Sequence, residues 1–235
     1  MKNIYKAVSL ALAIASASTA NIAFAETKDE VVNVEITAEE SNVDALAAQN
    51  GWVYDGDSWK FYKNGNYITD EWLEYGGNWY YLSEGDGVMV HYPAIIDGTT
   101  YVFRTDGSMV SNGWYKHSNK WYYLTSSGAA KTGWNKINGK WYSFNNDGIM
   151  RTGVFTDIDG KVYLLNSNGD MVDKTGWYKF NGSWYYLTSS GAAKTGWLLD
   201  SGKWYYLGQD GKMFVGGPYT IDGVEYFFDC TGAMH

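Results

Sequence analysis

Tryptophan spacing constrains this chain more than any other feature. The twelve tryptophans fall into six pairs, Trp52/Trp59, Trp72/Trp79, Trp114/Trp121, Trp134/Trp141, Trp177/Trp184 and Trp197/Trp204, each seven residues apart. Tryptophans scattered through one core would not share an interval, so the chain is built from an internal repeat. The unit is clearest in Gly113 to Thr132, GWYKHSNKWYYLTSSGAAKT. Its run from Trp121 to Trp134, WYYLTSSGAAKTGW, returns letter for letter from Trp184 to Trp197, which points to duplication.

Nine units can be laid out, starting at Gly51, Glu71, Pro93, Gly113, Gly133, Gly153, Gly176, Gly196 and Gly217. Each reads as an aromatic strand, a short turn, a second aromatic strand and a polar loop holding Gly and often Met or Ala. The turns carry Asn138-Gly139, Asn181-Gly182, Asp97-Gly98, Asp159-Gly160 and Asp222-Gly223. Such dipeptides accept the positive φ angles of two-residue hairpins. A lone hairpin is marginal in water, so each unit must bury its aromatics against its neighbours. The sequence therefore predicts an all-β solenoid of about nine stacked β-hairpins over residues 51–235.

A longer period lies above the short one. Trp52, Trp114 and Trp177 open successive triplets of units, and the third unit of each triplet lacks the Trp pair. Where the inner Trp would stand, these units carry Thr100, Val162 and Glu225. Within a second strand, residues two apart share a face. Trp121 and Tyr123 thus point one way and Tyr122 and Leu124 the other, so one face can pack inward while the Trp face lines a groove.

The segments before the repeats differ in kind. Lys2 and Lys6 precede an apolar run from Ala7 to Ala20, and Ala23-Phe24-Ala25 offers a small-x-small cleavage site. Residues 1–25 read as a secretory signal peptide. No later segment approaches the roughly 20 apolar residues of a spanning helix. Residues 26–50 are acidic and lack Trp and Tyr; Thr37 and Glu40 have capping-box spacing, which fits a short helix or equally a solvated linker. The formal charge of −8 argues against a nucleic-acid partner and is permissive for a cationic ligand. The single cysteine, Cys230, can form no disulfide within the chain, so stacking has to supply the stability.

Sites for catalysis or metals are not legible. His91, His117 and His235 are scattered without ligand spacing, and Asn166 to Asp170 matches a calcium loop only in part, without its terminal Glu. There is no nucleophile elbow or phosphate loop, and Asp55/Asp57 read as turn residues. The expectation is a protein that is not an enzyme and needs no cofactor.

The pattern GW-x4-to-5-G-x-WYY-(L/F)-x3-G-x-M-x-T-G over Gly51 to His235 resembles the choline-binding, or cell-wall-binding, repeats of Gram-positive surface proteins and autolysins. Related repeats occur in glucan-binding proteins and clostridial toxin tails. The resemblance implies hairpins stacked in a left-handed superhelix, about three per turn. It also implies ligand sites between consecutive hairpins, where two Trp of one unit and an aromatic of the next enclose a trimethylammonium. By that analogy the third ring lies two residues after the inner Trp position of the next unit. Trp52/Trp59 would be completed by Tyr81, Trp177/Trp184 by Tyr206, and Trp197/Trp204 by Phe227. Trp72/Trp79, Trp114/Trp121 and Trp134/Trp141 would meet Val102, Ser143 and Leu164 and form weaker sites. Tyr122, Tyr142, Tyr185 and Tyr205 read as packing residues.

The implied function is that of a secreted, cell wall-associated, non-catalytic protein binding choline on teichoic acid. The rivals are a glucan or other polysaccharide binder, with Lys116, Lys179 and Asn135 serving sugar hydroxyls, and an adhesin binding host receptors. Self-association along the Trp-poor units is a further expectation.

Overall fold

A computed structural model describes residues 50–235. The expected signal peptide and nearly all of the acidic segment lie outside the described residues. The described residues divide into two compact units, one of residues 50–94 with 101–110 and one of residues 95–100 with 111–235.

The described residues form nine antiparallel hairpins and no helix. Their strands are Gly51–Tyr54 with Trp59–Lys63, Glu71–Tyr75 with Asn78–Leu82, Ala94–Ile96 with Thr99–Tyr101, and Gly113–His117 with Lys120–Leu124. Next come Gly133–Ile137 with Lys140–Phe144, Gly153–Thr156 with Val162–Leu165, and Gly176–Phe180 with Ser183–Leu187. Gly196–Asp200 with Lys203–Leu207 and Gly217–Ile221 with Val224–Phe228 complete the set, here called hairpins one to nine. The fold is thus all-β and built from stacked hairpins, as the repeat predicts.

Turn chemistry sets the register. Asn138-Gly139 has φ of 48° and 81°, Asn181-Gly182 48° and 86°, and Asp222-Gly223 50° and 82°. These are left-handed pairs that match the strand twist. Asp159-Gly160 departs from the expectation, because only Gly160 is left-handed. Thr156 pairs with Val162, so residues 157–161 form a longer loop closed by bonds from the Asp157 amide to Lys161 and from the Gly160 amide to Asp157. That loop absorbs one of the three extra residues of the sixth unit; the other two follow Met171.

The repeats are joined by one recurring hydrogen bond. The polar loop of each unit donates a backbone amide to the second strand of the unit before it, where an inner Trp usually stands. Met89 donates to the Trp59 carbonyl at 2.8 Å, Met109 to Trp79 at 2.7 Å, Met150 to Trp121, Met171 to Trp141, Met213 to Trp184 and Met234 to Trp204, each of these four at 2.8 Å. Ala130 does the same to Thr100 at 2.8 Å. The next residue of each loop bonds back into its own hairpin, as Val172 does to Leu164 and Phe214 to Tyr206. Every loop after the first is therefore clamped between two consecutive units.

Hairpins six and seven are joined more extensively. Ala192–Ala193 forms a short strand that pairs with Val162 and Tyr163 on one side and with Leu187 on the other, merging both hairpins into a five-stranded sheet. Behind it Val162, Leu164, Val172, Tyr185, Leu187 and Ala193 form a core, with Tyr178 and Phe180 packed against it.

A loop glycine lets its loop close down on the loop of the preceding unit. A Cβ on Gly148 would lie 2.6 Å from the Ala130 Cβ, whereas one on Gly139 would meet nothing within 4 Å. Both residues are left-handed, at φ +74° and +81°, so backbone strain is common to the two. Gly139→Ala should cost about 1–2 kcal/mol. Gly148→Ala should cost more, because the facing methyl group has no freedom to move. Thermal unfolding of the two variants checks this, with the Gly148→Ala midpoint lower by several degrees.

Candidate functional site

Each hairpin has a front and a back. Cross-strand pairing sets Trp114 opposite Tyr123 and Lys116 opposite Trp121, so both tryptophans and Tyr123 share the front. Tyr122 and Leu124, on the alternate positions, face back and are buried. The groove between two units is therefore bounded by the front of one hairpin and the back of the next.

This geometry selects the third ring. The back-facing residue is the one directly after the inner Trp position, and in every unit that follows a Trp pair it is a tyrosine. Trp52 meets Tyr80, Trp72 meets Tyr101, Trp114 meets Tyr142, Trp134 meets Tyr163, Trp177 meets Tyr205 and Trp197 meets Tyr226. The six contacts are nearly identical, with centroids 4.7 to 5.0 Å apart and planes inclined by 64° to 70°. Such tilted edge contacts are the favoured aromatic geometry. The inner Trp closes the corner edge-on, at 6.3 Å for Trp114/Trp121, 6.4 Å for Trp134/Trp141 and 6.2 Å for Trp197/Trp204.

The expected completing residues are placed elsewhere. Tyr81 pairs across its own hairpin with Trp72, 5.2 Å away, and its hydroxyl donates to Asp70. Tyr206 likewise packs on Trp197, in its own hairpin, at 5.1 Å. Phe227 lies opposite Pro218 and is 52% exposed. All three stand two residues after the inner position and so share the front of their own unit, facing away from the preceding pair. The same alternation removes Val102, Ser143 and Leu164 from consideration. The division into three strong and three weak sites does not survive, since all six pairs receive a tyrosine. Tyr142 and Tyr205, read as packing residues, each meet the outer Trp of the preceding unit. Tyr122 and Tyr185, which follow units without a Trp pair, are buried to 3% and 1% exposure.

Methionine supplies a further wall that the sequence reading passed over. A crevice of about 250 Å³ is lined by Trp134, Trp141, Tyr163, Met171 and Ser190. Met171 is one of the loop residues bonded to an inner Trp carbonyl, and all six Trp pairs have such a methionine. Where the pair is missing, the loop carries Ala130, or Ala192 and Ala193. The signal was in the sequence: beyond Met1, every methionine follows a Trp-bearing unit. Ala192 and Ala193 let their loop close into the sheet, while the longer Met171 thioether lines the crevice beside Trp134 and Trp141.

Inner tryptophans stay accessible. Trp79, Trp121, Trp141, Trp184 and Trp204 are 39% to 44% exposed. Outer indoles are oriented in two places, where Trp134 Nε1 donates to Asp157 at 2.8 Å and Trp177 Nε1 to Asp200 at 3.1 Å. Burial pushes the Tyr80 hydroxyl above its ordinary value, and the charge of Asp106 adds to this, so its ring remains neutral. Asp170 is half of an ion pair with Lys140 at 3.1 Å; burial raises its carboxyl, but Lys140 and Asn166 more than offset that and hold it below the usual range. Asn166 to Asp170 is a tight turn, closed by the Asn166 amide on the Asp170 carbonyl. Cys230 is exposed just past the last strand.

Comparison with known proteins gives the same picture. A family model for the choline-binding repeat matches residues 131–175 and 174–217, and one for a cell wall binding repeat matches 70–89 and 112–130. The choline-binding domain of CbpL from Streptococcus pneumoniae is 30% identical, over 80% of this chain and 98% of that one, with a TM-score of 0.43. The chain belongs to the choline-binding repeat family. Choline binding protein F from Streptococcus pneumoniae is 35% identical over 75% of this chain, with a TM-score of 0.51, and the chain spans 61% of its length. That protein has also been solved in the presence of a peptidoglycan analogue, a tetrasaccharide-pentapeptide. No curated protein sequence matches the chain.

Exchanging one ring tests the register. In choline-binding repeats of this geometry, Tyr205→Ala should abolish one of six sites, whereas Phe227→Ala should leave all six. Calorimetric titration with choline reads the stoichiometry directly.

Proposed function

We propose that this protein attaches to choline carried on an envelope polymer through six equivalent aromatic cages, and that it does so as a secreted, non-catalytic protein. The observation that carries the reading is the sixfold recurrence of one contact, the outer Trp of each pair against the tyrosine of the next unit, with the inner Trp exposed in five of the six. A trimethylammonium donates no ordinary hydrogen bond, so it is recognised by ring faces, each worth about 0.5–2 kcal/mol depending on desolvation. The crevice at Trp134/Trp141, about 250 Å³, suits a small head group better than a drug-sized ligand. Six weak sites on one chain, facing a polymer with many choline groups, gain by avidity.

Secretion rests on the signal-peptide pattern of residues 1–25. The non-catalytic part rests on a sequence without a nucleophile motif, acid–base pair or ligand spacing. Cell-wall association follows from both the family and the ligand.

Passage over a tertiary-amine resin tests the reading. The full chain should be retained and then eluted by choline. Retention on α-glucan without elution by choline would replace the choline reading with a polysaccharide one. Trp121→Ala and Trp184→Ala should each remove one of six sites, with equal losses, because both cages are completed by a tyrosine.

A further inference from the structure

The six cages share their rings but differ in the residue across the strand from the inner Trp. This position holds Tyr54 opposite Trp59, Glu74 opposite Trp79, Lys116 opposite Trp121, Lys136 opposite Trp141, Lys179 opposite Trp184 and Leu199 opposite Trp204. Cross-strand partners share a face, so each of these side chains stands on the front, beside the open ring of its cage.

In three cages the neighbour is a cation. Lys116 Nζ lies 5.9 Å from the Trp121 ring centre, Lys136 Nζ 6.0 Å from Trp141 and Lys179 Nζ 6.0 Å from Trp184. All three lysines are exposed, and among the described residues no carboxylate forms an ion pair with any of them. A bare quaternary ammonium entering these cages meets a like charge already drawn to the same indole. A ligand bearing an anion next to its ammonium turns that repulsion into attraction.

Resting on the choline reading above, we propose that the cages of Lys116, Lys136 and Lys179 take the whole phosphocholine group, with its ammonium in the aromatic corner and its phosphate on the lysine. The cage of Trp72 and Trp79 has Glu74 in that position, and the carboxylate favours a bare ammonium over one that carries a phosphate. The Lys116 cage is the purest case. Among the described residues its outer Trp has no carboxylate bonded to it, whereas Asp157 and Asp200 accept the indole protons of Trp134 and Trp177 in the other two.

Titration of the full chain with choline and with phosphocholine reads this directly. The wild type should prefer phosphocholine at three of its sites by about two- to five-fold, the range of an exposed charge pair, and the preference should fade as salt is raised. Lys116→Met with Lys136→Met and Lys179→Met keeps the apolar stems, and should remove the preference while choline affinity holds or rises. Arginine at the three positions should restore it. Glu74→Lys should add a fourth preferring site. Equal phosphocholine-to-choline ratios in the wild type and the methionine variant would overturn the proposal while leaving the choline reading intact. Binding of neither ligand would overturn both. Vesicles of phosphatidylcholine, compared with a phosphocholine-bearing envelope polymer, decide the source: polymer binding alone is expected, and binding to vesicles alone would assign the cages to a lipid surface.

Discussion

The structure depends on a hydrogen bond that reaches from one repeat back to the one before. A loop amide meets the carbonyl of the residue at the inner position of the preceding unit, at 2.7 or 2.8 Å in seven junctions, and a short ladder replaces it in the eighth. A hairpin by itself leaves its outer backbone groups to water and is barely stable. The clamp satisfies those groups and fixes how far each hairpin stands from the next. Because it anchors the carbonyl of the inner Trp, it also fixes the position from which that side chain projects. Stability and the site are thus set by one interaction.

What fills the gap held open by that clamp then decides the character of each junction. With two Trp in front, Met beneath and Tyr behind, the space stays open and the inner indole stays exposed. With Val162 in place of the inner Trp and Ala192-Ala193 in place of Met, the loop closes into the sheet and Tyr185 is buried in the core. The same backbone plan therefore yields either a cage or a seal. Trp and Met change together because a large ring in front needs a long, adaptable floor, while a small residue lets the strands come within pairing distance.

Most of this fold was legible in the amino acids. The Trp interval, the Asn-Gly and Asp-Gly turns and the loop glycines predict hairpins whose first strands begin within one residue of where they are found. The Asp157 to Lys161 loop was not legible as a distinct turn, since an Asp-Gly pair fits both a two-residue turn and the longer form. The cages were legible in kind but not in register. Choosing the residue two after the inner Trp ignored that it shares a face with its own outer Trp, as Tyr81 does with Trp72.

By itself the sequence determined that this chain is a stack of aromatic hairpins with six tryptophan pairs, because fixed spacing and turn residues act locally and need no knowledge of neighbours. Only the tertiary structure decided which tyrosine faces which pair, and that Tyr142 and Tyr205 meet an outer Trp while Tyr185 is core. The physical reason is that a groove belongs to two units at once, and pleating sends successive side chains to opposite neighbours.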